Sequence, residues 1–144
     1  MTATEFLEQL RHDEIVAAIQ AAEAKTSGEI RVFVSRKLRP DALAAARVRF
    51  AKLGMTQTRE RNGVLLYVAP RSRTFAIVGD EGVHARCGEA FWREVAQAMT
   101  AEFRKGDFTA GILLGVQRAG SLLAEHFPRQ GDDRNELPDT VVTD

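Results

Sequence analysis

The sequence predicts an α/β fold: a small central mixed sheet of three to four strands, built as β-α-β then a hairpin, between about four helices. Three observations carry this. Residues 29–35 alternate as a strand does. The apolar run 64–69 is followed at once by a second strand pattern at 74–78. Segments on both sides repeat their apolar residues at helical spacing. The chain has 144 residues, 44% of them hydrophobic and 28% charged, the composition of one soluble globular domain. We expect that α/β domain over residues 1–128 and a polar tail over 129–144.

Thr2 and Glu5 have capping-box spacing. Phe6, Leu7, Leu10, Ile15, Ile19 and Ala22 then repeat at helical period. A helical stretch is expected from about Thr4 to Lys25, interrupted near His12-Asp13 and stopped by Thr26-Ser27-Gly28. In the first strand, Ile30, Val32 and Val34 share one side, Arg31 and Phe33 the other. Pro40-Asp41 opens a second helix with Leu43, Ala46, Phe50 and Leu53 on one stripe and Gly54 as its stop. Met55 to Asn62 reads as a polar linker.

Val64 to Ala69, bounded by Asn62-Gly63 and Pro70, reads as a central strand buried on both faces. The short Pro70-Arg71-Ser72 turn makes the next strand, Thr74 to Val78, its antiparallel neighbour. Phe91, Trp92, Val95, Met99 and Phe103 mark a helix from about Glu89 to Arg104, and Gly106-Asp107 breaks it. Thr109 is expected to cap a last helix running to Pro128. Gly111, Gly115 and Gly120 inside that helix imply close approach to the sheet or to another helix.

Twenty basic and twenty acidic residues cancel overall. They are not evenly spread: residues 1–30 carry −4, residues 31–73 carry +9 and residues 74–144 carry −5. The β-α-β crossover makes the first two strands parallel. The entries of both strands and the exit of the third therefore meet on one rim, with Glu29, Glu60, Asp80 and Glu81. The opposite rim collects Arg36, Lys37, Arg39, Arg71 and Arg73.

Clustered carboxylates repel unless protonated or neutralised by a cation, and Ca²⁺ takes 6–8 oxygens of this kind. Glu29, Glu60, Asp80 and Glu81 are thus candidate ligands of a divalent cation, Ca or Mg. In the competing account Arg59 and Arg61 neutralise these acids, Asp80 is a turn residue, and Glu81 serves the dipole of the next helix. On the other rim the five cations form a candidate anion site, since ligands of open α/β sheets favour the C-terminal ends of the strands. A solvated basic face is the alternative.

Phosphate-loop and dinucleotide motifs are absent. His84 and Cys87 are too few for zinc, and Cys87 reads better as a small core residue. Nucleic acid is disfavoured: Phe33, Phe50, Tyr67 and Phe75 fall in core elements and leave no stacking platform. One cysteine fits a reducing compartment, and we expect a cytoplasmic protein. No apolar run approaches the ~20 residues of a membrane span.

Four segments, in order, carry a resemblance. They are Lys25-Thr-Ser-Gly-Glu-Ile-Arg-Val32, Glu60-Arg-Asn-Gly-Val-Leu-Leu-Tyr-Val68, Phe75-Ala-Ile-Val-Gly-Asp-Glu-Gly-Val-His84 and Phe103-Arg-Lys-Gly-Asp-Phe-Thr-Ala-Gly111. They resemble the TPM-domain family, which includes a plant thylakoid-lumen acid phosphatase, a worm receptor modulator and many bacterial proteins. The closing Asp132-Asp-Arg-Asn-Glu-Leu-Pro-Asp139 resembles the tail of the short, soluble bacterial branch.

The resemblance implies a sheet of nominally four strands, a divalent-cation site known in some members, and the phosphatase activity of the plant one. No organic cofactor is expected. The signal peptide and C-terminal span of anchored members are not expected. The family's Arg-Asp-Asn-Gly turn reads Glu60-Arg-Asn-Gly63 here, with Arg61 where an acid is usual.

Three functions follow. The first is a non-catalytic module that binds a divalent cation or a protein partner. The second is a weak metal-assisted phosphomonoesterase, with Arg59 or Arg61 on the phosphate. The third is binding of an anion or lipid surface through the basic rim. Sparse acids and the lack of a nucleophile favour the first.

Overall fold

The computed structural model describes residues 1–129 and 140–144. In chain order the elements are α1 (Ala3–Gln9), α2 (His12–Glu23), β1 (Glu29–Val34), α3 (Ala42–Lys52), β2 (Gly63–Ala69), β3 (Thr74–Gly79), α4 (Glu81–Arg104), α5 (Phe108–His126) and β4 (Val142–Thr143). The sheet order is β3-β2-β1-β4. β1 is parallel to both β2 and β4, and β2 is antiparallel to β3. The expected mixed sheet is therefore present. Its fourth strand comes from the tail, beside β1. The tail motif Asp132 to Asp139 lies outside the described residues.

Alternation along the strands divides the core into two. Ile30, Val32 and Val34 of β1, with Val64, Leu66 and Val68 of β2, pack with Phe6 of α1, Ile15 and Ile19 of α2, Val95 and Met99 of α4, and Ile112, Val116 and Leu123 of α5. Phe33, Leu65, Tyr67 and Ala69 face Ala42, Ala46 and Phe50 of α3, with Met55 below. The sheet is thus buried on both faces, which accounts for the unbroken apolar run in β2.

Thr2 caps α1 by accepting from the Glu5 N–H at 3.1 Å. The helical stretch is interrupted, as expected, and divides at Leu10-Arg11 into α1 and α2, so the described residues form five α-helices. The Arg11 N–H donates to Thr109 Oγ1 at 3.1 Å. Thr109 is therefore not the cap of α5. Asp107 caps it instead, accepting from the Ala110 N–H at 3.0 Å.

Leu43 does not join the inner stripe of α3: it is 43% exposed, whereas Ala42, Ala46 and Phe50 are buried. The Asp41 cap fixes the helix start, and Leu43 lies about 100° round the axis from Ala42. The polar linker 55–62 contains the fully buried Met55, held in a 3₁₀ turn. The helix expected from Glu89 starts at Glu81 and bends at Gly88, where φ is 69° and ψ 178°.

The small residues of α5 do allow close approach. A Cβ on Gly115 would lie 2.6 Å from Leu66, and one on Gly120 would lie 2.6 Å from Ala22.

Candidate functional site

The topology sends the loops to opposite ends of the sheet as the β-α-β reading requires. At one end Glu29 pairs in register with Gly63, and Val64 with Gly79. The Asp80 N–H donates to the Gly63 carbonyl at 3.0 Å. At the other end Val34 pairs with Val68, and Ala69 with Thr74.

At the acidic end a guanidinium organises the carboxylates. Arg61 reaches its position from a left-handed backbone conformation, φ 52°. Its Nε and Nη2 donate to the two oxygens of Asp80 at 2.7 and 2.8 Å, the fork geometry that suits a carboxylate. Its Nη1 lies 3.5 Å from Glu81. The Asp80 hydrogen bond raises the Arg61 pKa above its ordinary value.

Asp80 also accepts from the Glu81 N–H at 2.8 Å and so caps α4, where a negative charge is favourable. Gly82 lets the 60–62 turn press on this helix start: a Cβ there would lie 2.4 Å from the Glu60 carbonyl oxygen. That contact is with backbone and has no side chain to yield.

Glu60 turns to different partners. It accepts from Ser27 Oγ at 2.5 Å and from Asn62 Nδ2 at 3.3 Å. Glu29 is buried at the start of β1. Arg59 is exposed on the turn.

A hard divalent cation needs six or more oxygens. Among the described residues no three His, Cys, Asp or Glu side chains gather as a metal site, and Asp80 gives both oxygens to Arg61. The residues described at this end do not fit such an ion in this arrangement. For Asp80 and Glu81 the pattern follows the account in which Arg61 neutralises the acids, whereas Glu60 is held by Ser27 and Asn62.

At the basic end two loops are tied together. The Arg39 N–H donates to Ser72 Oγ at 2.7 Å, and Thr74 Oγ1 donates to the Arg39 carbonyl at 2.7 Å. The loop carrying Arg36, Lys37 and Arg39 therefore lies against the turn carrying Arg71 and Arg73. Arg36, Lys37, Arg71 and Arg73 are exposed and Arg39 is half-buried. Among the described residues none of these five side chains makes an ion pair. Leu38, between two of them, is 55% exposed.

Sequence reasoning missed four groups. Ser27 and Asn62 hold Glu60, and their short polar side chains in a turn give no distinctive signal. Ser35 is fully buried and donates to Asp144 Oδ2 at 2.7 Å. The Arg36 N–H donates to Asp144 Oδ1 at 2.7 Å. No local pattern links residues 109 positions apart.

Elsewhere the bland readings hold. Burial pushes the Cys87 thiol up, the opposite of an activated nucleophile. Trp92 packs edge-on to Phe91 at 4.9 Å. Phe33 and Tyr67 are stacked in the core at 5.3 Å. No helix among the described residues is long and apolar enough to cross a membrane.

The family model for the TPM domain matches residues 1–122. No curated protein matches the chain. Among solved structures, the chain is similar to the NMR structure of BA42 protein from the psychrophilic bacterium Bizionia argentinensis. The two are 39% identical over 92% of each chain, with a TM-score of 0.85. It also shares its fold with the N-terminal domain of a protein from P. gingivalis, at 18% identity, 79% and 76% coverage and a TM-score of 0.57. On the family match and the 39% relative, this chain belongs to the TPM-domain family.

Proposed function

We propose that this chain is a non-catalytic interaction module that meets an acidic protein partner through the basic end of its sheet. The observation that carries the reading is the group of exposed Arg36, Lys37, Arg71 and Arg73 with half-buried Arg39, with no ion pair among the described residues and Leu38 exposed in its midst. Arginine is enriched at protein-binding surfaces, and Leu38 adds exposed apolar area beside it. Unpaired cations also speed encounter with a partner of opposite charge.

Divalent-cation binding and metal-assisted phosphoester hydrolysis would both draw on the acidic end. Asp80 would first have to release Arg61. For that reason the interaction reading is preferred to either.

The probe is a hexaglutamate peptide, titrated into labelled protein while backbone amide shifts are followed. Shifts centred on Arg36 to Arg39 and Arg71 to Arg73 are expected. They should weaken as salt rises from about 0.05 to about 0.5 M and vanish in the Arg36→Glu, Arg71→Glu double variant. Shifts elsewhere, or binding indifferent to the double variant, would overturn the proposal. Binding to anionic vesicles in preference to the peptide would redirect it to a lipid surface.

A further inference from the structure

The outer edge of β1 is covered by very little. β4 is two residues long, with Val142 opposite Phe33 and Thr143 opposite Val34. Residues 141–144 are all only half-buried. A strand this short contributes few ladder hydrogen bonds and is marginal alone, yet it lies on an edge that would otherwise present open backbone groups.

Three anchors hold it. Val141 packs against the core that includes α2, α4 and α5, and Val142 against the core under α3. These are the alternate side-chain pockets of an added strand. The third anchor is polar. The Asp144 carboxylate accepts from the Ser35 hydroxyl and from the Arg36 N–H, both at 2.7 Å. Ser35 is itself fully buried, and its Oγ accepts from the Lys37 N–H at 3.2 Å. The carboxylate therefore sits against a pair of fixed donors at the C-terminal end of β1. Partial burial pushes the Asp144 carboxyl up, but the Arg36 N–H, the Ser35 hydroxyl and the Arg49 charge outweigh it and hold the group below its ordinary value.

We propose that the outer edge of β1, with Ser35 and the Arg36 N–H, is a peptide-binding slot. It takes an extended segment that pairs parallel to β1, places two β-branched residues on opposite faces and ends on a carboxylate. Residues 141–144 fill it in cis. A partner segment of the same chemistry takes their place when they detach, and such local opening is characteristic of short, half-exposed edge elements. The slot goes beyond the basic surface proposed above. It relies on backbone pairing and a buried hydroxyl rather than on exposed cations, so either proposal can fail alone.

The test uses the full chain with Val142→Pro and Asp144→Ala, which removes a ladder N–H and the carboxylate. The probe is the peptide Thr-Val-Val-Thr-Asp, acetylated and amidated so that its only charge is the side-chain carboxylate. It should shift the amides of Phe33, Val34, Ser35 and Arg36 in the variant. It should bind the unsubstituted chain at least about tenfold more weakly, because the tethered segment competes at high effective concentration. A probe with alanine in place of its aspartate should bind the variant at least about tenfold more weakly, the effect of losing a hydrogen-bonded charge. Absence of those shifts, or equal binding of the alanine probe, overturns the proposal.

A second measurement does not depend on the double variant folding. Asp144→Ala alone should raise hydrogen exchange at the Arg36 amide at least about tenfold. Unchanged exchange there would equally count against the slot.

Discussion

Single side chains decide the chemistry at both ends of the sheet, and each end has one charged group in command. At the acidic end Arg61 takes both oxygens of Asp80. A pattern that reads as a cation site is, in this chain, closed by its own guanidinium. At the basic end Asp144 plays the converse part, a carboxylate among cations. Its pKa lies below the ordinary 3.8, so its docking stabilises the fold above that value and is lost as pH falls through the lowered one. Acid titration followed at the Ser35 and Arg36 amides should therefore show a transition with its midpoint below 3.8. A midpoint at or above that value would contradict the latch. The charges themselves were legible in the sequence. Arg61 as a partner of the acids was one of two accounts the sequence left open, whereas the Asp144–Ser35 contact was not legible, because it joins residues 109 apart in the chain.

The elements were read with uneven success, and α4 shows why. Its second part was legible from Phe91, Trp92, Val95, Met99 and Phe103. Its first part, 81–87, was not, because that turn carries little apolar periodicity. It is set instead by the Asp80 cap and by Gly82 against the 60–62 turn. Between the parts, Gly88 adopts φ 69° and ψ 178°, a region open essentially to glycine alone. A Cβ there would meet nothing within 4 Å, so the effect of a side chain is conformational rather than steric. Gly88→Ala should destabilise the fold by about 1–3 kcal/mol, measured by urea unfolding. An unchanged midpoint would show that the bend is not required. In α3 a similar limit applied: periodicity found the helix but assigned Leu43 to its inner stripe, whereas the buried stripe is Ala42, Ala46 and Phe50, a choice between two overlapping apolar stripes that packing against the sheet makes.

Across the whole molecule, charge is sorted by topology. The parallel β1–β2 pair and the antiparallel β3 place Glu29, Glu60, Asp80 and Glu81 at one end and Arg36, Lys37, Arg39, Arg71 and Arg73 at the other. At one end Asp80 and Glu60 are satisfied internally by Arg61, Ser27 and Asn62. The other presents exposed cations. Because Arg61 holds both oxygens of Asp80, the acidic end is expected not to take up Ca²⁺. Ligand at a hundred times its dissociation constant adds about 2.7 kcal/mol, which would raise the Tm by several degrees in a chain of this size. Thermal unfolding in Ca²⁺ and in chelator should give the same Tm. A clear rise with Ca²⁺ would mean that Arg61 yields Asp80 to the ion.

The sequence by itself determined the layers. Strand alternation, the unbroken run in β2 and the short β2–β3 turn were enough for a mixed sheet between helices, with the acidic and basic loops on opposite rims. These are local patterns, and periodicity and turn length encode them directly. Only the tertiary structure decided which charges are already spent. It placed Arg61 on Asp80, put Thr109 under Arg11 rather than at a cap, and brought residues 142–143 back as the fourth strand beside β1. Those outcomes depend on contacts between distant residues. Their hydrogen bonds form only once the chain has closed, and no local pattern records them.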